Sequence, residues 1–133
     1  MDTQPVHLNT FFAPQLIIGD CAGAIEFYKK AFGIVELQRW SNPDGSVHVA
    51  ELSFDGALFH IHEPTARNPT DLSKEGGVSV LLGVFVDDVH GLFDRAIAAG
   101  AKLIDAVKDH EYHYRQGTIE DPFGHQWLIE KKL

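Results

Sequence analysis

Apolar and polar residues recur along this chain with two periods, and each change of period marks a change of element. Gln15-Leu16-Ile17-Ile18 is a β-rich run that stops at Gly19-Asp20. Beyond it Ile25, Tyr28 and Phe32 fall at helical spacing and Glu26 and Lys30 form an i,i+4 pair. Asp20 stands where an N-cap carboxylate accepts from an orphan amide, and Gly33 where a left-handed C-cap belongs, so a helix is predicted between them. Period two then returns. Strands are predicted over residues 35–40, 46–54 and 57–62, separated by Asn42-Pro43-Asp44-Gly45 and by the two-residue turn Asp55-Gly56.

Residues 64–77 are polar, carry prolines and lack a period, which reads as a linker. After them the plan returns: a strand over 78–86, an N-cap at Asp88, a helix packing through Leu92, Phe93 and Ala96, and a stop at Gly100. Strands follow near 101–107, 114–120 and 125–130. Residues 108–113 fit loop or strand, and their imidazole and aromatic content marks a pocket rim.

The two halves are related by one offset. Asp20 and Asp88 lie 68 residues apart, as do the turn glycines Gly56 and Gly124. One unit used twice implies a single domain over 1–133 built of two modules, 10–63 and 78–131, joined by the 64–77 linker. Function is then expected between the halves.

Composition narrows the partners. A chain of 133 residues buries roughly two thirds of its unfolded surface, so a core forms without disulfides. Eleven basic against nineteen acidic residues give a net charge of −8, which argues against nucleic acid. No apolar run reaches the roughly 18 residues of a membrane span. Met1-Asp2-Thr3-Gln4-Pro5 lacks the basic and apolar regions of a secretory signal, so a cytoplasmic protein is expected. Cys21 is the one cysteine, which excludes an internal disulfide and a thiolate metal cluster.

The turn Asp55-Gly56 sets a register that places Glu51 opposite His60 and Val49 opposite His62. Glu51, His60 and His62 then share one face, while Ala50, Leu52, Phe59 and Ile61 share the face that packs under the helix. Carried across by the offset, Leu128 and Glu130 take the places of His60 and His62, with Gln126 beside them. The same step puts Arg115, Gly117 and Ile119 on the cleft side of the seventh strand, where the Arg115 fork would suit an anion. Trp40, Phe85, Tyr112 and Tyr114 offer flat walls, whereas Trp127 belongs to the core and Phe123 plugs the last turn.

Three runs carry a resemblance: residues 24–33, Phe85-Val86-Asp87-Asp88-Val89, and Asp121-Pro122-Phe123-Gly124-His125-Gln126-Trp127. They resemble the vicinal oxygen chelate superfamily of glyoxalase I, bleomycin and fosfomycin resistance proteins and extradiol dioxygenases. With Arg115-Gln116-Gly117 they look most like its PhnB-like branch. The resemblance implies an α+β fold of two βαβββ modules, the glyoxalase/bleomycin-resistance fold, whose curved mixed sheets enclose a cleft completed in a homodimer. It also implies metal-ligand positions seven residues before each N-cap and four after each turn glycine. Here those are Ala13, Leu81, His60 and Leu128, of which only His60 carries a donor. A one-residue shift of register would bring in Gln15 or His125 but no set of four.

The expected function is therefore that of a small-molecule-binding protein without the family's metal and without a predicted cofactor. Gln15, Trp40, Glu51, His60 and His62 would contribute from the first module, and Phe85, Tyr112, Arg115, Gln126 and Glu130 from the second. The alternative is a lyase, isomerase or dioxygenase-like enzyme that uses Glu51 and His60 as acid and base. That enzyme would work without metal or with a displaced divalent ion on His60, Glu51 and His62.

Overall fold

The computed structural model describes residues 10–133, so the reading of residues 1–5 falls outside it. The first half runs β1 (Gln15–Ile17), α1 (Cys21–Phe32), β2 (Val35–Ser41), β3 (Val47–Phe54) and β4 (Ala57–His62). The second runs β5 (Leu81–Phe85), α3 (Val89–Ala99), β6 (Lys102–Asp109), β7 (Tyr114–Glu120) and β8 (Gln126–Lys132). Between them lies α2 (Leu72–Glu75), a single turn inside the linker, started by the carboxylate of Asp71 accepting from the Ser73 amide. Sequence reasoning missed α2 because one turn is too short to display a period. The fifth strand also begins later than expected, at Leu81.

Each half forms a four-stranded mixed sheet, with orders β1-β4-β3-β2 and β5-β8-β7-β6. The pairs β1/β4 and β5/β8 are parallel and the others antiparallel. Asp20 and Asp88 cap their helices by accepting from the amides of Gly23 and Gly91.

The helices cover one face of each sheet and pack on each other, so the two halves share one core. Leu16, Ala50, Leu52, Phe59 and Ile61 of the first sheet and Ile18 just past β1 lie buried with Ile119, Trp127 and Ile129 of the second. Arg95 of α3 fastens the end of α1, donating from Nε to the Lys30 carbonyl at 2.8 Å. Gly117 marks a close approach of β7 to the helix layer: a Cβ there would sit 2.7 Å from Val107 and 2.8 Å from the Phe93 ring.

The repeat is not uniform. The register Gln15↔His60 in the first sheet and Gly83↔Leu128 in the second preserves the offset of 68. The middle strands do not: Glu51 faces His60, but Thr118 faces Leu128, an offset of 67. Two compensating changes account for it. The second long helix has 11 residues where the first has 12, and the last turn spans one residue more than its counterpart. Everything between α3 and that turn is displaced by one place, which reverses the face on which each side chain lies.

Candidate functional site

The faces that the helices leave open hold most of the candidate residues. On the first sheet, Glu51 and His60 stand opposite each other, with Glu51 Oε2 3.3 Å from His60 Nε2, and both side chains are partly exposed. Trp40 lies opposite Val49 on the same face with 43% of its surface exposed. Gln15 neighbours His60 across β1/β4 and also lines a cavity of about 710 Å³ at the seam between the halves, with Leu72, Val80 and His125. His125 is tied down there, its Nε2 3.1 Å from the Ile17 carbonyl.

His62 is the least satisfied of these groups. Its Nε2 is buried and, among the described residues, has no hydrogen-bond partner. Burial lowers its pKa below the ordinary imidazole value, and the charges of His60 and His48 act in the same direction. The rings of His60 and His62 stand 6.2 Å apart. His48 is on the opposite face, its Nδ1 2.9 Å from Glu63.

These residues do not fit the divalent ion of the fold. Leu81 and Leu128 lie on the open face of the second sheet without a donor atom, and Ala13 just ahead of β1 has none either. His60 is left alone with Glu51. Among the described residues, no three His, Cys, Asp or Glu side chains converge to hold a metal, the set Glu51, His60 and His62 included.

On the second sheet a chain of polar contacts runs across β7 and β8. Tyr112 donates its hydroxyl to Gln116 Oε1 at 2.5 Å, and Gln116 Nε2 donates to Glu130 Oε1 at 2.8 Å. Glu130 is only 6% exposed. Tyr112 stacks on His110 with ring centroids 4.7 Å apart and planes within 15°, and Tyr114 stands between Tyr112 and Phe85. A cavity of about 540 Å³ opens here between Leu81, Leu128, Thr118, Gln116, Tyr112 and Lys108. The stretch 108–113 is thus the rim of a cavity: strand to Asp109, then a turn closed by the His110 amide donating to the Tyr114 carbonyl. Gln126 is on the same face and donates to Glu120 at 3.2 Å.

Arg115 is not part of this site. It shares the helix side of β7 with Gly117 and Ile119, and its guanidinium pairs with Asp109 at 2.7 and 3.1 Å. The one-residue displacement of β7 is the reason. Gln116 and Thr118 occupy the open face in its place, and sequence reasoning passed over both. Two signals pointed to them: the helix-stop glycines Gly33 and Gly100 are 67 residues apart, and Gln116, Thr118 and Glu120 alternate with Gly117 and Ile119.

Comparison with known proteins agrees with this architecture. The model of the Glyoxalase/Bleomycin resistance protein/Dioxygenase superfamily matches residues 6–129. The chain belongs to that superfamily. Among its relatives, protein Rv0887c of Mycobacterium tuberculosis is 36% identical over 135 residues, covering 96% of this chain and 78% of its own. The crystal structure of TioX from Micromonospora sp. ML1 superposes with a TM-score of 0.75 at 26% identity, covering 94% of this chain and all of that one. A superfamily enzyme from Burkholderia phytofirmans gives 0.73 at 26% identity, covering 90% and 95%. The fosfomycin resistance protein FosX of Listeria monocytogenes, solved with Mn(II) and sulfate, shares the fold at 15% identity and a TM-score of 0.72, covering 96% and 93%. No helix among the described residues is long and apolar enough to cross a membrane.

Proposed function

We propose that this chain is a cytoplasmic small-molecule-binding protein of the glyoxalase/bleomycin-resistance type that holds its ligand without a divalent metal. The observation that carries the proposal is what replaces the metal positions. Three of the four have no donor, while hydrogen-bonding and aromatic groups crowd the same open faces: Glu51, His60 and Trp40 on one, Gln116, Glu130 and Tyr112 on the other. Such a mixture of flat apolar walls and a few placed polar groups is the usual lining of an organic-ligand site.

Each open face is half of a cleft. Trp40, Leu81 and Phe85 on these faces are 43%, 51% and 59% exposed, large apolar surfaces that a second copy would cover. The proposed assembly is therefore a homodimer in which the two kinds of face meet. Gln15, His62 and Gln126 would line its margins.

Native mass spectrometry of protein purified without chelators tests the reading, since it reports subunit count, bound ions and co-purified small molecules together. A dimer free of stoichiometric metal is expected. A divalent ion released only on unfolding, or a monomer at micromolar concentration, overturns it.

The contact between Glu51 and His60 favours one second reading, an acid–base lyase or isomerase. Under it, Glu51→Gln would abolish turnover of a substrate while leaving its binding intact. In the binding reading, Glu51→Gln and His60→Ala weaken affinity itself.

A further inference from the structure

Three carboxylates are buried in the described structure, and they are satisfied to very different degrees. Asp121 accepts four hydrogen bonds and Asp71 accepts two from Ser73. Glu130 accepts one, from Gln116, and has no ion-pair partner among the described residues. A carboxylate has about four acceptor positions, so Glu130 keeps Oε2 free to accept, and that oxygen is not one of the buried atoms without a partner among the described residues.

The unused oxygen is directed to one place. Glu130 Oε2 lies over Gly83, where a Cβ would stand 2.9 Å away, so the missing side chain makes a notch in β5 between Leu81 and Phe85. The wall beside it is aromatic, formed by Phe85 and Tyr114 with centroids 6.1 Å apart. That wall already receives a cation: the Lys132 ammonium lies 5.9 Å from the Phe85 centroid instead of pairing with Glu130.

We propose that Glu130, reached through the notch at Gly83 and steadied by Gln116, recognises a protonated amine carried on an apolar or aromatic body. The proposal rests on the cleft reading above and names the ligand class that the second sheet selects. The ammonium would pair with Oε2, its body would lie against Phe85 and Tyr114, and Lys132 would be a competitor for the same wall. Electrostatics of the whole chain favour it, since the net charge is −8.

Benzylammonium and its neutral counterpart benzyl alcohol are suitable probes, followed through the backbone amide NMR signals of the full chain. Benzylammonium is expected to shift Gly83, Leu128 and Glu130 and to bind at least about tenfold more tightly than the alcohol, as a charge-assisted hydrogen bond in a shielded site requires. Glu130→Gln, which keeps an oxygen for Gln116, should remove that preference. Lys132→Met should strengthen binding, and Gly83→Ala should block it. Equal binding of the two probes at these residues, unchanged by Glu130→Gln, overturns amine recognition and leaves the cleft reading standing. If neither probe shifts the open face of either sheet, the amine proposal fails together with the cleft.

Discussion

Tyr28 in the first helix donates its hydroxyl to the carboxylate of Asp121, 93 residues later, at 2.6 Å. The same Asp121 oxygen accepts from Trp127 Nε1 at 2.9 Å, while the other accepts the amides of Phe123 and His125. One buried anion thus binds the helix of the first half to the turn and last strand of the second. The aromatic rings around it, Tyr28 against Phe59 at 5.7 Å and against Trp127 at 5.6 Å, make the joint a packed one. Burial, and after it the Asp121 charge, holds the Tyr28 phenol well above its ordinary pKa, so it remains a donor.

Removing the hydroxyl by Tyr28→Phe keeps the ring and deletes one donor to a buried charge. The expected loss is about 1.5–3 kcal/mol of stability, the range for hydrogen bonds to charged groups. Urea titration should show a lower midpoint at unchanged slope, because the surface exposed on unfolding is the same. A midpoint within error of the native chain would show that the joint is held by packing alone.

Cys21 should be silent toward thiol reagents in the folded chain. Its Sγ donates to the Ile18 carbonyl at 3.3 Å, and burial, followed by the charges of Glu63 and Asp20, pushes its pKa up to about 12. Since the thiolate is the reactive species, labelling at neutral pH should proceed only at the rate of unfolding and reach one thiol per chain in denaturant. Fast labelling without denaturant contradicts this.

The pattern of residues carried the architecture because both signals that define it are local. Asp20 and Asp88 announced their helices, and Asp55-Gly56 set a register that put Glu51 across from His60. What escaped was the phase of the repeat between α3 and the last turn. A helix one residue shorter and a turn one residue longer cancel over the whole module, so landmarks at both ends agree while β7 between them is displaced. Arg115 therefore lies on the helix side instead of the cleft side that an offset of 68 predicts, and Gln116 takes the cleft position. The offset alone names Glu130 as a ligand-binding residue, but its approach to Gly83, one strand away in space and 47 residues away in sequence, is a contact that no local pattern displays.

The displaced strand has a direct test in Gly117. Its α-carbon lies under α3, and a methyl group there would meet Phe93 and Val107 at 2.7–2.8 Å. Gly117→Ala should therefore cost about 1–3 kcal/mol, as overpacking of a close-packed core does. On the open face the same substitution would be neutral. Chemical denaturation of the variant reads this cost, and a loss near zero would put residue 117 on the open face.

His62 should make stability pH-dependent in one direction. Its pKa is lowered in the folded chain, by burial first and then by His60 and His48, from an ordinary value of 6.5. Above that value the imidazole is neutral whether the chain is folded or not, and it contributes no slope. As pH falls through 6.5 the unfolded chain binds a proton that the folded chain refuses, so stability drops until the lowered folded pKa is reached. His62→Gln abolishes this exchange while keeping a polar side chain on the face shared with Gln15, Glu51 and His60. The difference in melting temperature between native and variant should be constant above pH 7 and move in favour of the variant between pH 6.5 and 5. A difference that stays constant over the whole range would show that His62 is not the source of the acid sensitivity.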